Sequence, residues 1–184
     1  MGQRRCACIR LCLGATEALC SVSEATLLRL PYTKLAPEAY EALVGVGHAL
    51  NTASSLSHSL LGLVYLRASL LNGCGFCIGM HTAELKHLHE PQTRIDAVAD
   101  WQSSDAFTPR ERAALAWTEA VTNIQEGHAS DAAYAAVSEH FEGKELADLT
   151  FAIAQINAWN RLGIAFAMEW NPAGKRSETL EVAS

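Results

Sequence analysis

What this sequence lacks narrows its reading at once. No stretch of the 184 residues approaches the roughly 20 apolar positions that a membrane-spanning helix needs. No run alternates apolar and polar residues with period two, so half-buried strands are not expected. Positive charge is scarce: 14 Lys and Arg against 20 Asp and Glu leave a net charge of −6. With no basic stripe either, a nucleic-acid partner is disfavoured. No cysteine follows Cys77, whereas a secreted disulfide framework spreads cysteines through its fold. Internal repeats and low-complexity tracts are absent as well.

The length suits one domain with a core large enough to need no disulfide or structural metal. A hydrophobic content of 49% with 18% charged residues fits a compact protein with some apolar surface to spare, the kind that often ends in a subunit interface. The segment Met1 to Cys20 carries Arg4, Arg5 and Arg10 and resembles a signal peptide only faintly. Arg10 interrupts its apolar run, and no small-residue cleavage site follows. Cys6 stands where a myristoylation signal needs Ser or Thr. A cytoplasmic protein is expected, with residues 1–26 as a loose extension, 27–171 as the domain and 172–184 as a polar tail. Cys6, Cys8, Cys12 and Cys20 have irregular spacing and no nearby histidine, and are read as lying in that extension without chemistry.

The rest reads as helix. Pro37 suits a first helical position, and Tyr40, Leu43, Val44, Gly47 and Leu50 follow at helical spacing. Leu56, Leu60, Leu63, Val64, Leu70 and Leu71 form a second apolar face, with Arg67 among them, broken at Asn72-Gly73. A third helix runs from about Cys74 to Leu88, and Pro91 opens a short one through Val98. Thr108-Pro109-Arg110-Glu111 predicts a capping box, with the helix continuing through Ala114, Trp117, Val121 and Ile124 to a stop at Gly127. Ser130-Asp131 starts another, turning Tyr134, Val137 and Phe141 inward and ending at Gly143. Glu145 to about Trp170 is apolar nearly all round, as in a helix buried on most sides. The expected fold is an all-α, single-domain bundle of about seven helices.

Within it, Cys74, Cys77 and His81 fall three and four residues apart, on one helical face. A helix N-terminus carries about half a positive charge and stabilises a thiolate. An ordinary cysteine titrates near a pKa of about 8.5, and C-x-x-C or helix-start positions lower that to roughly 3.5–7.5. His81 can take the proton of Cys77, and Gly73 and Gly75 give the backbone freedom for a disulfide. A thiolate that attacks a peroxide becomes a sulfenic acid, which a second thiol condenses to a disulfide. The cycle needs an outside reductant and no cofactor or metal. The same residues admit two other readings: a pair of small buried hydrophobes, or zinc ligands completed by His87 or His89. Haem attachment would need His in place of Ile78, and thioredoxin-like use of the motif belongs to a β-α-β context.

Leu66-Arg67-Ala68-Ser69, Asn72-Gly73-Cys74-Gly75-Phe76-Cys77 and Met80-His81-Thr82 together resemble the signature of the carboxymuconolactone decarboxylase superfamily, in its alkylhydroperoxidase D-like (AhpD-like) branch. Trp101, the block Thr108 to Leu115, Trp117-Thr118-Glu119-Ala120 and Asn157-Ala158-Trp159-Asn160-Arg161-Leu162 extend the likeness from about Leu30 to Trp170. The resemblance implies an AhpD-like all-α domain assembled as homo-trimers, or as homo-hexamers built from two trimers. It also implies thiol-dependent reduction of hydroperoxides or partner disulfides, supplied by an external thiol reductant. Carried over, Cys77 attacks the peroxide beside His81, and Cys74 resolves the product.

The sequence departs from that pattern at two places. The family's relay glutamate stands twelve residues before the first cysteine, where this chain has Gly62, and no Asp or Glu occurs between Glu41 and Glu84. Phe76 replaces a residue that is sometimes histidine. Both changes predict a weak peroxidase with dithiol exchange better preserved. His58, one turn before Gly62, reads as a surface histidine. Arg67 could steady a thiolate or pair with an acid across a subunit boundary. Asn157, Asn160 and Arg161 read as packing or trimer contacts. His48, His87, His89, His128 and His140 receive no role. A lactone decarboxylase or isomerase on the same fold, or an inert oligomeric module, are the competing functions. The redox reading requires two sulfurs and an imidazole gathered at a solvent-reachable pocket.

Overall fold

The structure is a computed structural model that describes residues 28–172. The expected extension 1–26 with its four cysteines, and all but the first residue of the tail 172–184, lie outside the described residues. Among the described residues every regular element is a helix: α1 (Tyr32–Leu35), α2 (Pro37–Ala53), α3 (His58–Asn72), α4 (Gly75–His87), α5 (Gln92–Ala97), a 3₁₀ segment (Val98–Ser103), α6 (Pro109–Thr122), α7 (Ile124–Gly127), α8 (Asp131–Ser138) and α9 (Gly143–Ala165). None of them is long and apolar enough to cross a membrane.

Helix starts follow local chemistry. Thr108 accepts the amide of Glu111 while the Glu111 carboxylate accepts the amide of Thr108, the reciprocal capping box that the sequence predicts. Ser57 and Ser130 cap α3 and α8 in the same manner, each accepting an amide three residues on. At the other end of α3, Gly73 adopts a left-handed conformation (φ 70°) that closes the helix and redirects the chain into α4.

The centre is α3, which packs on α4, α6 and α9. Leu60, Leu61, Val64 and Leu149, Ile153, Phe141 fill one side; Leu63, Leu66, Leu85, Ile95, Val98 and Leu115 fill the other. A polar frame crosses this apolar interior. Asn72 donates to both Asn157 and Asn160 at 2.9 Å, Asn160 donates to Ser69, and Asn157 donates to Thr122. These bonds tie the end of α3 to α9 and α6, so the Asn side chains fix helix packing within the chain.

Several boundaries differ from expectation. Thr122 ends α6 and Asn123 breaks the run, leaving Ile124–Gly127 as a separate turn. Gly143 (φ 52°) opens α9 rather than ending α8, which stops at Ser138. The last helix stops at Ala165, after which Ala167 (φ 55°) turns the chain back. Tyr134, expected inside, is exposed, as is Val44 of the apolar series on α2, and α9 presents Phe151 (63% exposed) and Ile164 outward rather than being covered on most sides. Period alone places such residues on a face; only the packed neighbours decide whether that face is covered.

Candidate functional site

The polar frame ends at the residues that turn α3 into α4. Directly after Asn72 and Gly73, Cys74 becomes the N-cap of α4, and its Sγ accepts the amide of Cys77 at 3.4 Å. The two cysteines are joined as a disulfide, with Cα atoms 5.4 Å apart. Opposite them, α9 brings the backbone of Gly163: a Cβ there would lie 3.0 Å from Cys74 Sγ and 3.6 Å from Cys77 Sγ. A larger residue at 163 would push the helix off the sulfurs. The Ala68 and Ile156 side chains close the cluster, with Tyr65, Phe76 and Trp159 against it.

His81 lies one turn farther along α4 and is 5% exposed. Its Nδ1 is 2.6 Å from Glu84 Oε2, a bond allowed by the i,i+3 spacing. Its Nε2 is the one buried side-chain nitrogen or oxygen without a partner among the described residues. The Tyr65 ring sits with its centroid 5.0 Å from the His81 ring and also packs against the cysteine cluster. Tyr65 therefore lies between the cysteine cluster and the imidazole. Burial, and then the negative charge of Glu84, pushes its phenol up to about 12, so the hydroxyl keeps its proton at neutral pH.

Gly62 has a specific neighbour. A Cβ at this position would fall 2.7 Å from Leu85 Cδ2, and Leu85 is completely buried. The space that a side chain at 62 would need is hydrocarbon. Glu84, one residue earlier on α4, supplies a carboxylate from the opposite side of His81 in sequence.

The structure thus pairs Cys74 with Cys77 and places His81 against Tyr65 and Glu84. His58 stays exposed, with its ring nitrogen near the Asn51 carbonyl. Arg67 neither meets the sulfurs nor needs another subunit: it pairs with Glu119 at 2.7 Å and donates to the carbonyl of Ala99. Glu119 also accepts from Trp101 Nε1, so this is a partly buried structural tie. No group of three or more His, Cys, Asp or Glu converges as a metal-holding cluster among the described residues.

The expected solvent-reachable pocket is not where the sequence reading put it. Cys74 and Cys77 are 1% and 2% exposed. Trp170, carried back by the turn after α9, lies on Gly79 and meets Phe76 edge-on, covering the outer side of α4. The surface groove of about 460 Å³ lies elsewhere, along α8 and α9 between Tyr134, Leu146, Thr150 and Phe151.

Sequence reasoning missed Tyr65, Glu84, Leu85 and Gly163. Two signals were present: Glu84 is the first carboxylate after a long acid-free stretch and stands three residues after His81, and Gly163 interrupts an apolar helix.

Comparison with known proteins agrees with this architecture. Residues 37–120 match the carboxymuconolactone decarboxylase family. The uncharacterized protein YdfG of Bacillus subtilis is 35% identical over 137 residues, which are 74% of this chain and 92% of the relative. A crystal structure from Agrobacterium tumefaciens, of a protein of unknown function described as a candidate antioxidant defence protein AhpD, superposes with a TM-score of 0.75. It is 36% identical, and the match covers 79% of this chain and 99% of that one. The alkylhydroperoxidase AhpD core of a peroxidase-related protein from Ralstonia eutropha shares the fold, with a TM-score of 0.67 at 24% identity, covering 77% of this chain and 75% of that one. A helical frame, a disulfide at the start of α4 and these relatives lead to one statement: the chain belongs to the carboxymuconolactone decarboxylase family and has the AhpD-like fold.

Proposed function

We propose that this protein is a thiol-dependent peroxidase-like oxidoreductase, reducing hydroperoxides or partner disulfides through Cys74 and Cys77 with His81 as the proton acceptor. The observation that carries the reading is the bonded pair at the start of α4, on the same helix as a buried imidazole whose Nε2 has no partner.

In the reduced protein the Cys77 thiol passes its proton to His81. The thiolate attacks one oxygen of a hydroperoxide, forming an S–O bond as the O–O bond breaks. The departing alkoxide takes the proton and leaves as an alcohol. The Cys74 thiol then displaces water from the Cys77 sulfenic acid, giving the disulfide. A dithiol reductant restores both thiols and leaves as its own disulfide. No step calls on a cofactor or metal. The amide that Cys77 donates to Cys74 Sγ also favours a thiolate at Cys74, which makes Cys74 a good leaving group when the reductant attacks.

Two features limit the rate. Hydrocarbon fills the place of the family's relay carboxylate, and both sulfurs are covered in the disulfide form, so the start of α4 must open for exchange. Slow peroxide turnover with better dithiol exchange is the expected balance. The outward apolar residues of α9, Phe151 and Ile164, support assembly with further copies of the chain as homo-trimers or hexamers.

The test is peroxide consumption with a dithiol reductant, followed by dimedone trapping of a sulfenic acid on Cys77 in Cys74→Ser. A trapped Cys77 adduct supports the proposal. Absence of both peroxide loss and adduct, or turnover that persists in Cys74→Ser/Cys77→Ser, overturns it.

A further inference from the structure

Histidine has two ring nitrogens, and in the neutral ring only one of them accepts a proton. Which one is set by the bond the other makes. In this protein Nδ1 faces Glu84 Oε2 at 2.6 Å, and an ionised carboxylate can only accept, so Nδ1 carries the hydrogen. Nε2 is then the lone-pair nitrogen, and it is the buried atom left without a partner. A buried polar atom without a protein partner is accounted for by a water, an ion or a reacting proton.

We infer that Glu84 is a positioning residue that holds His81 in the Nδ1–H tautomer, so that Nε2 is the base for the Cys77 thiol. The assignment deepens the thiol-peroxidase reading and rests on it for its purpose. It also explains how the chain manages with Gly62: a carboxylate three residues after the histidine orients the ring, instead of one from α3. Leu85, next to Glu84 on α4, occupies the space at position 62, so one stretch of α4 both fills that space and supplies a carboxylate to His81. Tyr65 faces the same imidazole from α3, its neutral phenol ring adding no competing charge. Glu84 is 54% exposed in its side chain, so its carboxylate is reached by water and remains available as an acceptor.

The proton balance is closed. Cys77 loses its thiol hydrogen to Nε2, and the imidazolium formed keeps its Nδ1–H on the Glu84 carboxylate. When the hydroperoxide O–O bond breaks, the Nε2 proton goes to the departing alkoxide, and His81 returns to its starting tautomer. Glu84 itself never changes protonation.

The experiment uses the full chain in the Cys74→Ser background and measures alkylation of Cys77 by iodoacetamide, which needs no peroxide. Glu84→Gln keeps the size and removes the charge. Loss of the orienting partner of a metal-ligating histidine costs about 10- to 100-fold, and on that scale the alkylation rate should fall while the thermal midpoint stays unchanged. A second readout is the ring tautomer of His81 from nitrogen and carbon shifts of labelled histidine, in buffer alkaline enough to keep imidazoles neutral. Nδ1–H in the parent and Nε2–H in Glu84→Gln support the assignment. A parent ring already in the Nε2–H form, or an alkylation rate within about twofold of the parent, overturns it. Hydroperoxide consumption is scored separately. A parent that alkylates in a Glu84-dependent way but consumes no hydroperoxide retains this assignment and loses the peroxidase reading.

Discussion

Two polar regions meet at the junction of α3 and α4, and the protein treats them in opposite ways. In the Asn72–Asn157–Asn160 frame each buried amide finds partners, drawn from three helices and from residues up to 91 positions apart. Six residues after the start of α4, His81 is buried to a similar extent, yet one nitrogen meets a carboxylate and the other has no partner among the described residues. Leaving a buried polar atom unpaired costs roughly 1–3 kcal/mol. A site that serves only packing would lose that penalty by substitution. The difference separates a satisfied packing network from a histidine to which the proposed function assigns proton transfer.

That contrast can be broken most severely at His81. His81→Leu should lower hydroperoxide turnover by about 10²–10⁴-fold, the usual range for a lost general base. Its folding stability should change by less than about 1 kcal/mol, since the lost bond to the exposed Glu84 is offset by removal of the unpaired Nε2. Steady-state kinetics and denaturant unfolding check the two halves. The mirror experiment is Asn160→Leu, which strips partners from Asn72 and Ser69 together. A loss of about 2–4 kcal/mol is expected in chemical denaturation.

Gly62 sharpens the boundary between the regions. Gly62→Ala drives a methyl into Leu85 and should destabilise by about 1–3 kcal/mol. In a Leu85→Ala background the same change should cost little further, a coupling that a double-mutant cycle measures directly.

The last effect, confined to alkaline pH, concerns Tyr65. Its pKa is about 12 in the folded protein against an ordinary 10.0, so the folded state holds this proton more tightly than the unfolded chain does. The stability it contributes is complete below about pH 10 and is lost as pH rises toward 12, at most about 2–3 kcal/mol. Tyr65→Phe should flatten that alkaline decline in unfolding titrations. An equally steep fall in the variant would show that another group governs it.

Much of the helical plan was readable in advance because its signals are local. Thr108 and Glu111 are three residues apart, and the Cys74, Cys77 and His81 spacing comes from a single helix. The boundaries that shifted, at Asn123 and Gly143, are places where a local signal admits both an end and a beginning. Arg67 shows the complementary limit: its partner, Glu119, is 52 residues away, and nothing in the neighbourhood of Arg67 points to it.

By itself, the sequence determined the helices, the dithiol at a helix start and the missing acid at position 62, since propensity, capping and helical period act over about four residues. Tertiary packing decided that Leu85 fills the gap, that Gly163 brings α9 onto the sulfurs, that Trp170 covers α4, and that His81 Nε2 is buried with no partner among the described residues. Those outcomes depend on which distant surfaces share the interior. A close-packed core settles that only when all of its volume is assigned.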